Sequence, residues 1–259
     1  METVATYEGE AGKDLVTTLD IELQLEAERI VEDALWKMKS SSDGSLLDRA
    51  FFVMMNPNTG EILSMVGKRV EYDAGDKMYL ADYSYGTFTT AYEIGSTVKG
   101  ATLLTGYREG AVTIGATQID EPIVLGENLV KSSIFNRSGR IRMDDLMALE
   151  QSSNVYMFKI AMTMGGLSYY PYIGIASLLR DDTLQRLRNG YAQVGLGVPT
   201  GIDLPGETAG VIGVPDSPGK VLDITIGQFD TYTPLQLVQY VSTIANGGYR
   251  VQPRLLKEI

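Results

Sequence analysis

The sequence of 259 residues contains no cysteine and no histidine. Without cysteine there is no disulfide, no thiol nucleophile and no thiolate metal site. Without histidine there is no Ser-His-Asp triad and no histidine-based zinc site. Few nucleophilic mechanisms remain after these exclusions, and a serine activated by a lysine is the most obvious of them.

Basic residues and long apolar runs are also scarce. The chain has 22 Lys and Arg against 33 Asp and Glu, a formal net charge of −11. Because nucleic-acid surfaces need a basic patch or stripe, the composition predicts no nucleic-acid binding. No apolar run approaches the roughly 20 residues that span a bilayer, and the start does not resemble a signal peptide. Any targeting segment is therefore expected outside this chain.

Periodicity and turn residues predict a mixture of helices and strands. Residues 1–14 are expected to be a polar lead-in. A helix capped by Asp20 is predicted to bury one face, made of Ala27, Ile30, Val31, Ala34, Leu35 and Met38. Further helices are predicted at residues 96–107, 145–151, 155–164 and 234–245, a hairpin at 50–55 and 61–66, β-rich or irregular structure at 111–142, loops at 195–219, and a strand beginning at 251.

The first candidate for chemistry is Ser96-Thr97-Val98-Lys99. Residues i and i+3 share a helix face, so the Lys99 amine can approach the Ser96 hydroxyl. A neutral amine is able to accept the serine proton if burial or a neighbouring cation lowers the lysine pKa. By spacing alone the pattern is weak, and an ordinary helical turn without a catalytic role remains the preferred interpretation.

The same spacing occurs a second time at Ser217-Pro218-Gly219-Lys220. Proline and glycine between the two residues disfavour a helical turn. Ser217 and Lys220 are therefore predicted to be loop residues without a catalytic role.

A second candidate is Ser152-Ser153-Asn154, in the predicted break between two helices. These side chains are common helix caps, which is the structural interpretation. The functional interpretation makes Ser152 a proton relay beside Lys99 and gives Asn154 contacts with both Lys99 and a peptide substrate. S-x-x-K with an S-D-N-like element belongs to the motif set of penicillin-binding proteins and class A β-lactamases.

With these motifs, the chain resembles the transpeptidase domain of class B penicillin-binding proteins over residues 15–259. The longer segments that carry the resemblance are TTLDIELQ (17–24), NPNTGEILSM (56–65), YEIGSTVK (92–99), TGIDLPGE (200–207), IGQ (226–228), TPLQ (233–236) and ANGG (245–248). Their length and order make the resemblance specific.

The resemblance implies an α+β fold of the penicillin-binding transpeptidase and serine β-lactamase type, with an antiparallel sheet flanked by helices. It implies a D,D-transpeptidase that cross-links peptidoglycan stem peptides, without metal or cofactor, and that β-lactams acylate. Ser96 would be the nucleophile, Lys99 the general base, Ser152 the proton relay and Asn154 the substrate contact. The parent protein would be extracytoplasmic, anchored in the cell membrane, and would work with cell-wall synthesis proteins such as a glycosyltransferase.

Two features depart from the family pattern. No lysine is followed by Thr-Gly or Ser-Gly, so the third motif is absent, and the domain is expected to be truncated before the strand that bears it. Three explanations are open: the chain is a cut piece of a longer protein, a natural fragment, or one of two pieces that act together. The first explanation is preferred. A piece without the third motif is expected to be inactive by itself. Phe229 also stands where the family usually has glycine.

Two other functions remain open. A β-lactamase would need a glutamate to activate the deacylating water, and none is identifiable, since Glu150 fits no known position. A catalytically incompetent scaffold or β-lactam sensor on the same fold is the alternative from another class.

Overall fold

The computed structural model of the chain describes residue 9 and residues 12–126, 129–179 and 182–259. The helices are α1 (Ile21–Lys39), α2 (Gly86–Thr89), α3 (Lys99–Arg108), α4 (Asp145–Glu150), α5 (Asn154–Met164), α6 (Thr183–Gln193), α7 (Pro218–Ile224) and α8 (Pro234–Ala245). The strands are β1 (Val16–Thr17), β2 (Arg49–Met55), β3 (Ile62–Tyr72), β4 (Met78–Asp82), β5 (Gln118–Asp120), β6 (Ile123–Gly126), β7 (Leu129–Lys131), β8 (Ile141–Met143) and β9 (Leu256–Glu258). Most of the predicted lead-in, residues 1–14, lies outside the described residues.

One half of the fold is an antiparallel sheet in the order β2-β3-β4 with helices on both faces. Ala27 and Val31 of α1 pack on Val66 of β3 on one face. On the other face, Met65 joins a cluster that includes Leu235 of α8. Successive strand residues point to opposite faces, so Met65 and Val66 of the same strand contribute to different layers.

The other half is a helical core built around α5. Eight of its eleven residues are buried, and it is contacted by α3, α6, α7 and β5. A helix that is apolar on all sides belongs in a protein core. The short ladders β5–β8 and β6–β7 lie in the chain between α3 and α4. In the described part of the chain, no helix combines the length and apolar character needed to cross a membrane.

The predicted α+β class, with an antiparallel sheet flanked by helices, is confirmed, as are the hairpin and the helices α1, α4, α5 and α8. The helix predicted from residue 96 begins as a 3₁₀ turn, Gly95–Val98, and continues as α3. The strand predicted from residue 251 forms only at β9, where it pairs with β1. Sequence reasoning missed β4 and α6.

Two predictions were wrong. Lys220, predicted to be a loop residue, lies in the first turn of α7, while Ser217 stays outside the helix as its N-cap residue. Pro218 is tolerated in the first helical turn because its missing N–H has no intrahelical partner to lose. The buried face of α1 is also narrower than predicted: Ile30, Ala34 and Met38 are exposed. A straight helix on a sheet buries mainly one row of residues four apart, here Ala27, Val31 and Leu35.

Candidate active site

Ser96 lies in the 3₁₀ turn that leads directly into α3. Gly95, before it, has a positive φ of 56°, and its N–H donates to the carbonyl oxygen of Gly227 at 3.0 Å. The Ser96 side chain is exposed. Its hydroxyl forms no hydrogen bond with any residue that the structure describes, so the predicted nucleophile faces the surface and is not yet paired with Lys99.

Gly227 is a residue to which the motif analysis assigned no role. It has φ 75°, and a Cβ on it would lie 2.1 Å from the Gly95 carbonyl oxygen. No side chain fits that contact. The close approach of two backbones therefore holds the turn of Ser96 against the segment that follows α7.

Lys99, one helical turn after Ser96, is 2% exposed. Its Nζ donates to the Ser152 carbonyl oxygen at 2.6 Å, to Ser152 Oγ at 2.9 Å and to Asn154 Oδ1 at 2.7 Å. Burial lowers the pKa of Lys99 to about 8, against the opposing charge of Asp120. The structure thus brings three of the four predicted site residues into direct contact.

The three acceptors around Lys99 differ in what they can do. The Ser152 carbonyl and the Asn154 amide oxygen only accept, so they engage two N–H bonds in either charge state. The Ser152 hydroxyl can accept from an ammonium or donate to the lone pair of a neutral amine. Lys99 and Ser152 can therefore exchange a proton without rearrangement of the other two contacts.

Backbone conformation aims Ser152 at the lysine. Ser152 has φ 55°, a left-handed conformation that is uncommon for a residue other than glycine. It lies between α4 and α5, and Ser153 caps α5 by accepting the N–H of Tyr156 at 3.0 Å. The capping interpretation of this element thus holds for Ser153, while Ser152 faces Lys99.

Asn154 is oriented from both sides. Its Nδ2 donates to the carbonyl oxygen of Ser132 at 3.2 Å, which leaves Oδ1 facing Lys99. Its backbone N–H donates to Ser133 Oγ at 2.9 Å. The orientation of the amide follows from these hydrogen bonds.

Beneath the loop lies a buried carboxylate, Asp120, at the end of β5. Its Oδ2 accepts from the hydroxyls of Ser133 and Ser153, and its Oδ1 accepts from Asn136 Nδ2 at 2.9 Å. Sequence reasoning missed this residue because a single acid in an irregular segment has no distinguishing pattern. Among the described residues, no group of three acidic side chains is placed to hold a metal ion.

The chain is similar to known proteins in both sequence and structure. The family model described as penicillin binding protein transpeptidase domain matches residues 50–259. Penicillin-binding protein H of Bacillus subtilis is 48% identical over 252 residues, which are 97% of this chain and 34% of that protein. Penicillin-binding protein 2A of the same organism is 46% identical over 257 residues, 99% of this chain and 35% of that protein.

Among solved structures, penicillin-binding protein 2B of Streptococcus pneumoniae strain 5204 superposes with a TM-score of 0.89 at 32% identity. The match covers 97% of this chain and 41% of that one. The chain therefore spans about a third of the length of the curated relatives that it matches.

Proposed function

The chain belongs to the penicillin-binding protein transpeptidase family, and we propose that it supplies the acylation centre of a peptidoglycan D,D-transpeptidase. The observation that best supports this activity is the buried Lys99, held by Ser152 and Asn154 with a pKa of about 8. A lysine in that state is a competent general base near neutral pH.

In the proposed reaction, Ser96 Oγ attacks the carbonyl carbon of the penultimate D-alanine of a stem peptide while its proton passes to the Lys99 amine. The negative charge on the carbonyl oxygen is stabilised in part by the Ser96 N–H, which belongs to a first turn where N–H groups lack intrahelical partners. The C–N bond then breaks, and D-alanine leaves with a proton delivered through Ser152. The amine of a second stem peptide attacks the acyl carbon and gives its proton to the Lys99 amine. The bond from that carbon to Ser96 Oγ then breaks, the lysine returns the proton to Ser96, and the cross-link is released.

A β-lactam would follow the first half of the same route. The bond from Ser96 Oγ to the lactam carbonyl forms, the ring C–N bond breaks, and the ring nitrogen takes the proton. Asn154 is the proposed amide contact for the substrate, because its second Nδ2 proton is not used by Ser132 or Lys99.

The test is intact-mass analysis of the full natural protein that contains this domain after incubation with benzylpenicillin. We expect a stable mass increase on the wild type and on Ser217→Ala, and none on Ser96→Ala. No adduct on a folded wild type, or an adduct that persists in Ser96→Ala, would overturn the proposal. An adduct that forms and is rapidly hydrolysed would favour a β-lactamase instead.

We further propose that residues 15–259 form the front portion of the transpeptidase domain and that the third motif lies in sequence after residue 259. Among the described strands, β2 pairs with β3 alone, so its other edge can accept a further strand. Beside that edge lies an apolar groove, lined by Phe51, Val53, Pro234, Leu237, Val238 and Val241. Residues 1–259 alone should be acylated about 100- to 1,000-fold more slowly than the full protein, as for loss of an oxyanion donor. Equal rates would contradict this division.

The proposed location is the outer face of the cytoplasmic membrane. A membrane anchor would come from another part of the natural protein, and a glycosyltransferase is the proposed partner. The family's substrate class, a cell-wall peptide, supports this placement. Labelling of the protein in intact cells by a membrane-impermeant β-lactam would test it, and labelling only after lysis would contradict it.

A further inference from the structure

The buried carboxylate Asp120 has an unusual set of partners. It is 2% exposed, yet its hydrogen bonds come from neutral donors, the hydroxyls of Ser133 and Ser153 and the amide of Asn136. Within the described ranges, no lysine or arginine forms an ion pair with it. Removing a carboxylate from water is costly, so a charge kept there without a paired cation suggests a role beyond packing.

The two hydroxyls transmit the position of Asp120 to the loop that faces Lys99. A hydroxyl has one proton, and an ionised carboxylate can only accept, so the protons of Ser133 and Ser153 both point at Asp120. Their lone pairs are thereby turned towards backbone N–H groups. Ser133 Oγ accepts from Asn154 N at 2.9 Å, and Ser153 Oγ accepts from Tyr156 N at 3.0 Å.

These contacts anchor Ser153 and Asn154, the two residues that follow Ser152. Ser152 must keep φ at 55° for its carbonyl and hydroxyl to face Lys99. Such a conformation persists only where the surroundings hold it. The backbone anchored at Ser153 and Asn154 provides that restraint.

We propose that Asp120 is the positioning residue of the Lys99 centre, holding the loop of Ser152 and Asn154 through Ser133 and Ser153 and supplying the buried negative charge opposite the lysine. The catalytic role of Asp120 rests on the proposed acyl transfer by Ser96 and Lys99.

The electrostatic part of the role involves few groups. Asp120 is the titratable residue whose charge acts on Lys99, and it raises a lysine pKa that burial lowers. Lys159, on α5, also interacts electrostatically with Asp120. The other charged neighbours of Lys159 are Glu121 and Arg140. Asp120→Asn should therefore lower the pKa of Lys99, since the ammonium form loses an opposite charge.

The experiment compares Asp120→Asn with Asp145→Asn in the full natural protein. Asp145 is a matched control because it is also 2% exposed and hydrogen-bonded, to Tyr107 and to the N–H of Gly115, but its charge does not act on Lys99. The rate of acylation by a fluorescent penicillin is measured from about pH 5 to about pH 10, a range that brackets the lowered pKa of Lys99 of about 8.

We expect Asp120→Asn to lower the maximal rate about 10- to 100-fold, as for a displaced catalytic group, and to move the acidic limb to lower pH. Asp145→Asn should leave the midpoint of that limb unchanged. A folded Asp120→Asn protein with the wild-type midpoint and rate would overturn the inference, since a purely structural carboxylate would behave like Asp145.

Two further measurements keep the test decisive. If Asp120→Asn does not fold, Ser133→Ala is the second variant, because it removes one hydrogen bond between Asp120 and the loop but keeps the carboxylate charge. Ser133→Ala should slow acylation without moving the midpoint of the pH profile. A wild-type acylation rate in this variant would refute the inference. A carbon NMR titration of Lys99, assigned with Lys99→Met, needs no acylation. The titration therefore tests the effect of the Asp120 charge on Lys99 even if the wild-type protein forms no adduct. Absence of an adduct would refute the proposed function but not this electrostatic effect.

Discussion

The chain contains two Ser-x-x-Lys segments, at Ser96–Lys99 and at Ser217–Lys220, and both begin a helix. In the first, the lysine is 2% exposed and donates to three oxygen atoms of Ser152 and Asn154. In the second, the lysine side chain is 38% exposed and pairs with Asp216, which directly precedes the N-cap residue of α7. The same spacing thus yields a candidate base in one place and a solvated ion pair in the other.

The difference lies in what other parts of the chain bring to each lysine. A surface ion pair within one turn contributes little and leaves the ammonium hydrated. Burial without a paired carboxylate lowers the lysine pKa, which is the property a general base needs. Local sequence therefore proposes a site, and distant residues decide whether it has the required chemistry.

Replacement of the two lysines is the strongest test of this contrast. Lys99→Met should slow acylation by a β-lactam about 1,000-fold, because general acid–base groups commonly contribute 100- to 10,000-fold. Lys220→Met should leave the rate within about two-fold, since surface contacts of this kind have small energies. Stopped-flow acylation of both variants would measure this, and a large loss in Lys220→Met would break the comparison.

The pH profile gives the next largest effect. Lys99 is neutral, and able to accept a proton, only above its pKa of about 8. Acylation should therefore rise with pH, by about ten-fold per unit below the midpoint, and level off above it. Lys220→Met should show the same midpoint. A profile that is flat between pH 6 and pH 9 would refute the assignment of the base.

Two glycine-to-alanine substitutions compare how tightly the backbone is packed near each Ser-x-x-Lys segment. Gly227→Ala should destabilise the fold by about 2 kcal/mol, because its Cβ would lie 2.1 Å from the Gly95 carbonyl oxygen and its φ is positive. Gly219→Ala, inside the second segment, meets its nearest atom at 3.7 Å and should stabilise α7 by about 0.5 kcal/mol. Urea unfolding would measure both, and destabilisations of equal size would remove the distinction.

A smaller difference than that between the two glycines is expected at Phe229, whose ring lies 5.3 Å from Lys220 Nζ. Phe229 has φ 153°, in a region that favours glycine. Phe229→Gly and Phe229→Ala both delete the ring, so their difference isolates the backbone strain. The glycine variant should be more stable than the alanine variant by about 1 kcal/mol. The reverse order in thermal unfolding would show that this backbone is not strained.

Much of the local structure followed from the sequence because its causes are local. Asp20 and Thr233 cap helices where the pattern placed them, and Thr233 forms a capping box with Gln236. The loop at residues 56–60 joins the two predicted strands. The error at Lys220 was also local: Pro218 was treated as a helix breaker, although it occupies a first turn.

The candidate site divides in the same way. Ser96, Lys99, Ser152 and Asn154 were found from short motifs, whereas Asp120 was not, and Gly227 was given no role although it lies in the IGQ segment. Asp120 acts through hydroxyls 13 and 33 positions away, and Gly227 is fitted to a backbone far from it in sequence. No spacing rule identifies a residue whose role arises only where separate segments meet.

By itself, the sequence determined which chemistry was available: no thiol, no imidazole, and a serine and a lysine three residues apart on one helical turn. It also determined where most helices begin, because capping and turn preferences depend on neighbouring residues. Only the tertiary structure decided which of the two lysines loses its water and gains the oxygens of Ser152 and Asn154. The physical reason is that pKa depends on burial and on charges in space, and both are set by the packing of segments distant along the chain.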